Sequence, residues 1–196
     1  MRTLKWTSDL SISKINLVLI TLAKIFVFAG LTALASKVQF FLPFSPVPIT
    51  LQSFAVLLSG VLLGSKKGAL SQISLIGMGL CGLPVFSVAT AGPAVLFGPT
   101  GGYIFGFMVA AFVAGWFFES FKPKSLSFQC LFLLLASFCI FIPGIAWLQI
   151  FTGKSLWLSL KIGFYPFLPG DVLKCLAAAF FIRALRAVSK KNKVDL

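Results

Sequence analysis

The sequence predicts an all-α fold, a polytopic membrane bundle of six transmembrane helices with both termini cytoplasmic, and three observations carry that expectation. Of the 196 residues, 59% are hydrophobic and only 11% are charged, whereas an ordinary soluble domain is about 25% charged. The apolar residues fall in successive stretches near the ~20 residues that a helix needs to cross hydrocarbon, without the short alternating segments of a transmembrane barrel. The cationic residues gather at the ends of those stretches. A net charge of +13 suggests nucleic acid in a soluble chain, but this placement is that of membrane topology.

Read in order between charges and Pro/Gly punctuation, the six helices are expected near residues 15–36, 47–64, 68–82, 100–118, 126–150 and 165–188. The first lies between Lys14 and Lys37 and contains Lys24; it either starts nearer Ile25 or lets Lys24 snorkel to the interface. The second opens on PVPITLQ (46–52) and closes at Gly64. The third is the shortest and ends in GLCGLP. The fourth opens on GPTGGY (98–103), the fifth follows Lys122 and Lys124, and the sixth contains LPGDVLK (168–174). Residues 15–188 are thus one membrane domain for substrate binding, with a cytoplasmic tail at 1–14 and a basic one at 189–196. The pattern after Ala35 continues through Ser36, Lys37 and Val38, so no cleavable signal peptide is expected.

Orientation follows from the basic residues. Arg2, Lys5, Lys14, Lys66, Lys67, Lys122, Lys124, Arg183, Arg186, Lys190, Lys191 and Lys193 fall on one side, and only Lys37, Lys154 and Lys161 on the other. The richer side is the cytoplasmic one. Helices two, four and six then all start at the outer face, each with a Pro-containing motif. Pro suits a helix start, and Thr50, Thr100 and Asp171 could be cap or first-turn residues. Three helix N-termini at one face also make a pocket suited to a small anion or polar ring.

Gly98, Gly102, Gly106, Ala110 and Ala114 recur at every fourth position, Ala29 and Ala33 make the same step on the first helix, and Gly60, Gly64 and Gly68 another. Such stripes allow close backbone approach in lipid, within the bundle or against a partner protein. The uncharged loop 84–98 reads either as a lid or as a re-entrant segment. Trp6, Trp116, Trp147 and Trp157 read as interface anchors.

Asp171 and Lys174 are the charges that need explaining. A charge at the middle of a spanning helix costs about 2.5–3.5 kcal/mol on insertion scales. Three residues apart, they share a helix face; they either form a local salt bridge or face the outer pocket. Catalysis is not expected. The chain has no His, hence neither a Ser–His dyad nor an HExxH zinc site, and GSKKG (64–68) lacks the spacing of a phosphate loop. Cys81, Cys130, Cys139 and Cys175 lack CxxC spacing and read as buried small hydrophobes. No metal or cofactor is implied.

FLPFSPVPITLQSFAVLLSGVLLGSKKGAL (41–70), GLPVF (82–86), GPTGGYIFGF (98–107) and LPGDVLK (168–174) closely resemble the BioY family, the biotin-binding S components of energy-coupling factor transporters. The likeness runs in order over residues 30–179. It implies a protein of the plasma membrane that captures biotin from outside and delivers it with a transmembrane coupling subunit and two cytosolic ATPases. It implies that Asp171 and Lys174 help form the substrate site, with Gln52, Thr50, Thr100 and Tyr103 as further candidates. It also implies that Ala29 and Ala33 lie where the coupling subunit docks. The competing reading is a proton-coupled secondary carrier of a small organic anion, with Asp171 as the titrating group.

Overall fold

The structure, a computed structural model, describes residues 3–87 and 92–191, with side chains over 15–87 and 92–188. Helix α1 (Thr3–Ala35) is followed by two short strands, β1 (Gln39–Phe40) and β2 (Ile49–Thr50), paired antiparallel with Gln39 opposite Thr50. Then come α2 (Gln52–Leu63), α3 (Ser65–Leu80), α4 (Pro93–Phe97), α5 (Gly101–Phe121), α6 (Leu126–Thr152) and α7 (Leu156–Gly163). A 3-10 turn over Tyr165–Phe167 leads into α8 (Leu168–Lys191). Among the described residues, Ile15–Ala35, α5 and α6 are each long and apolar enough to cross a membrane.

Helix α1 runs unbroken through Lys24, whose side chain is exposed, so the cation extends from a continuous helix. Helix α2 starts at Gln52 rather than near 47, because Ile49 and Thr50 are held in the hairpin with Phe40 and Gln39. Pro46 and Pro48 therefore shape the hairpin's return and do not open a helix. Helix α3 starts earlier than expected, at Ser65. Its free amide is met by another helix: Glu119 of α5 accepts from Ser65 N at 3.0 Å and from Ser65 Oγ at 2.7 Å. The hairpin, α4 and α7 were not foreseen. Each strand of the hairpin has 2 residues, and α4 and α7 have 5 and 8, too short to repeat a periodic apolar pattern. Residues 88–91 of the expected lid, and the parts of the two tails at 1–2 and 192–196, lie outside the described residues.

The contacts fix the helix directions. Gly60 meets the Ala111 carbonyl and Ser65 meets Glu119, so α2 and α5 run parallel. Gly102 meets Pro143 and Gly106 meets Ile140, so α6 runs back along α5. Arg186 of α8 donates to the Pro123 carbonyl at 2.9 Å and stands 5.7 Å over the Phe118 ring, so α8 ends beside the end of α5. Beyond α1, Lys37 Nζ donates to the Phe86 carbonyl at 2.9 Å, bringing the ends of α1 and α3 together. The N-termini of α2, α5 and α8 consequently share one end of the bundle, and Lys66, Lys67, Lys122, Lys124, Arg183 and Arg186 gather at the other.

The small-residue stripes pack inside the bundle. Ala110 and Ala114 are fully buried, and a Cβ on Gly106 would lie 2.7 Å from both Cα and the carbonyl oxygen of Ile140. Gly60, Gly68 and Gly115 bring α2, α3 and α5 to backbone contact in the same way. Ala29 is fully buried, and Ala33 packs half-buried against the same core. In this arrangement the face expected to meet a partner turns inward toward α3, while Leu17, Ile20, Val27, Leu31 and Leu34 stay exposed. The cysteines are free, but only Cys175 is fully buried, and Cys81, just past the end of α3, is exposed.

Candidate functional site

At the end where α2, α5 and α8 begin, a partly open cavity holds about 570 Å³ of empty space, its mouth included. Thr50, Gln52, Thr100, Tyr103, Asp171 and Lys174 all line it. The three motifs far apart in sequence therefore converge on one cavity.

Each of these side chains is placed by its element. Thr50 ends β2, and its Oγ1 accepts from Gln52 N at 3.3 Å, meeting one of the free amides of α2 without being the helix cap. Gln52 is 4% exposed. Its Oε1 accepts from Thr50 Oγ1 at 3.5 Å, and its Nε2 has no partner among the described residues. A buried amide donor without an acceptor is uncommon, and here it belongs to a residue that lines the cavity. Thr100 occupies the cap position of α5 but makes no capping bond; it borders the cavity instead. The Tyr103 hydroxyl donates to the Gly163 carbonyl at 2.9 Å, tying α5 to α7, so the tyrosine offers the cavity mainly its ring.

The two charges of α8 do not bond to each other. Asp171, 5% exposed, accepts from the Ser137 hydroxyl of α6. Lys174 Nζ donates to Ser53 Oγ of α2 at 3.1 Å. A carboxylate can accept several bonds and an ammonium can donate three, so both keep capacity for a ligand. The rest of the lining is largely apolar, from Val47 and Pro48 through Phe86 and Phe107 to Phe141 and Phe167. A polar cluster against apolar walls suits a small molecule with a hydrogen-bonding head and an apolar body.

Sequence reading missed Ser53, Ser87 and the aromatic walls, because lone serines and phenylalanines in apolar runs carry no distinguishing signal. It also missed Ser137, which is 1% exposed and sits behind Asp171. Trp147, expected at the interface, instead donates to the Gly98 carbonyl at 2.8 Å and packs on Gly101 and Gly102. It thus braces the start of α5 beside the cavity.

A sequence model of the BioY family matches residues 7–191. The chain is 34% identical over 153 residues to the biotin transporter BioY2 of Lactococcus lactis subsp. cremoris, covering 78% of this chain and 84% of that one. It is 37% identical over 145 residues to the biotin transporter BioY of Thermotoga maritima, covering 74% and 84%. Among solved structures, the S-component for biotin from an ECF-type ABC transporter superposes with a TM-score of 0.80 at 28% identity, over 88% of this chain and 93% of that chain.

Proposed function

This chain belongs to the BioY family, and on that premise we propose that it is a membrane subunit that captures biotin in the cavity between α2, α5 and α8. It is a transporter component, not an enzyme. The observation that carries the reading is the convergence of Gln52, Asp171 and Lys174, each with unused hydrogen-bonding capacity, on one largely apolar cavity. Biotin's ureido ring offers two N–H donors and one carbonyl acceptor. Asp171 is the acceptor for an N–H, and Lys174 and the free Nε2 of Gln52 are donors for the carbonyl. Thr50 and Thr100 complete the polar end, while the Tyr103 ring and the phenylalanines enclose the thioether ring and the aliphatic chain.

The helix directions support six crossings, by α1, α2, α3, α5, α6 and α8, with the basic end cytoplasmic and both termini on that side. The cavity then opens outward, in the plasma membrane. Delivery is the work of an energy-coupling module, composed of a transmembrane coupling subunit and two cytosolic ATPases. Ala29 and Ala33 remain candidates for the docking face only if α1 turns or shifts from the packing described above.

Titration of the purified protein with biotin, thiamin and riboflavin tests the reading. Binding is expected for biotin alone, weakened at least tenfold by Asp171→Asn and by Lys174→Ala, as fits the loss of a charge-assisted hydrogen bond. Wild-type affinity in both variants would reject this site. Uptake driven by a proton gradient without any ATPase would favour the secondary carrier.

A further inference from the structure

Asp171 and Lys174 stand three residues apart on α8, a spacing at which opposite charges on a helix ordinarily pair. Here each bonds to a hydroxyl on a different helix, Asp171 to Ser137 of α6 and Lys174 to Ser53 of α2, and the Ser53 hydroxyl also lies within reach of the Asp171 carboxylate. Ser53 borders the cavity and is therefore open to a ligand itself. Ser137 is 1% exposed and is not part of the cavity wall. Its hydroxyl touches the site only through the carboxylate.

We infer that Ser137 is a positioning residue: its hydroxyl draws Asp171 toward α6 and away from Lys174, leaving both charges unpaired and facing the ligand. The inference rests on the biotin-site reading above. A Ser hydroxyl has one donor hydrogen, and giving it to Oδ2 occupies one acceptor position while Oδ1 stays available. Without that donor, the strongest remaining attraction on the buried carboxylate is the Lys174 ammonium one turn along, beside the Ser53 hydroxyl. A direct ion pair would turn the two head groups toward each other and not toward the ligand, and separating them on binding would be costly at low local dielectric. The arrangement is preorganisation: the charges are separated during folding, so the ligand does not have to separate them.

The test measures biotin affinity and ligand-free thermal stability for Ser137→Ala, Ser137→Thr, Asp171→Asn and the Ser137→Ala/Asp171→Asn double variant. Losing one hydrogen bond to a charged group corresponds to roughly ten- to hundredfold weaker binding in Ser137→Ala. Ser137→Thr, which keeps the hydroxyl, is expected to restore affinity to within a few-fold of wild type. Because Ser137 acts through Asp171, the double variant is expected to bind no more weakly than Asp171→Asn alone. A purely structural role would instead give additive losses, with the affinity change tracking the stability change and no rescue by threonine; either result overturns the inference. Wild-type affinity in Ser137→Ala with a loss in Asp171→Asn also overturns it while sparing the site. Wild-type affinity in Asp171→Asn overturns both.

Discussion

Gln52→Met tests the site through an effect with opposite signs on stability and affinity. Met is close to Gln in volume and flexibility, so the swap removes the amide without opening a cavity. In the ligand-free protein Gln52 is 4% exposed and its Nε2 meets no acceptor among the described residues. A buried unsatisfied donor costs about 1–3 kcal/mol. The swap also loses the Thr50 contact to Oε1, which at 3.5 Å is at the limit of a hydrogen bond and worth little. The balance favours the variant by about 1–2 kcal/mol, or roughly 2–8 °C for a chain of this size. On the proposed site, where Nε2 would find its acceptor on biotin, binding is expected to weaken about tenfold, the loss of ~1.4 kcal/mol. Thermal unfolding in detergent without ligand gives the first quantity, and a binding titration gives the second. A lower melting temperature with unchanged affinity would refute the reasoning, since it would mean that Gln52 serves packing and not the ligand.

Three further substitutions separate the scaffold from the site. Tyr103→Phe loses the bond to the Gly163 carbonyl and is expected to lower stability by about 1 kcal/mol while keeping the aromatic wall; a loss of affinity beyond about tenfold would give the hydroxyl a ligand role instead. Gly106→Ala places a methyl 2.7 Å from the Ile140 backbone, with an expected cost of about 1–3 kcal/mol, seen as a lower melting temperature; an unchanged one would contradict the tight α5–α6 contact. Glu119→Ala removes both bonds to Ser65 at the start of α3, a loss of about 1–2 kcal/mol. Biotin affinity should not change, because Glu119 lies at the end of the bundle remote from the cavity.

Length, apolar runs and basic punctuation made the long helices legible, with α5 and α6 within three residues of their observed ends. A helix in lipid must satisfy its own backbone and be long enough to cross, and both demands act on contiguous sequence. The start of α2 was not legible, because the strand pairing of Phe40 with Ile49 depends on residues nine positions apart whose register no local pattern announces. The start of α3 was hidden for a similar reason: its cap, Glu119, comes from another helix.

The site divides in the same way. The sequence determined which groups were too costly in hydrocarbon to be incidental, Asp171 and Lys174 above all, and placed three polar helix starts at one face. Only the tertiary structure decided that the two charges bond to serines on α6 and α2, that Gln52 is left with an unused donor, and that Ala29 packs inward. Insertion cost is a property of one residue in its solvent, whereas hydrogen-bond partnership depends on distances between helices, set once the small-residue stripes have brought their backbones together.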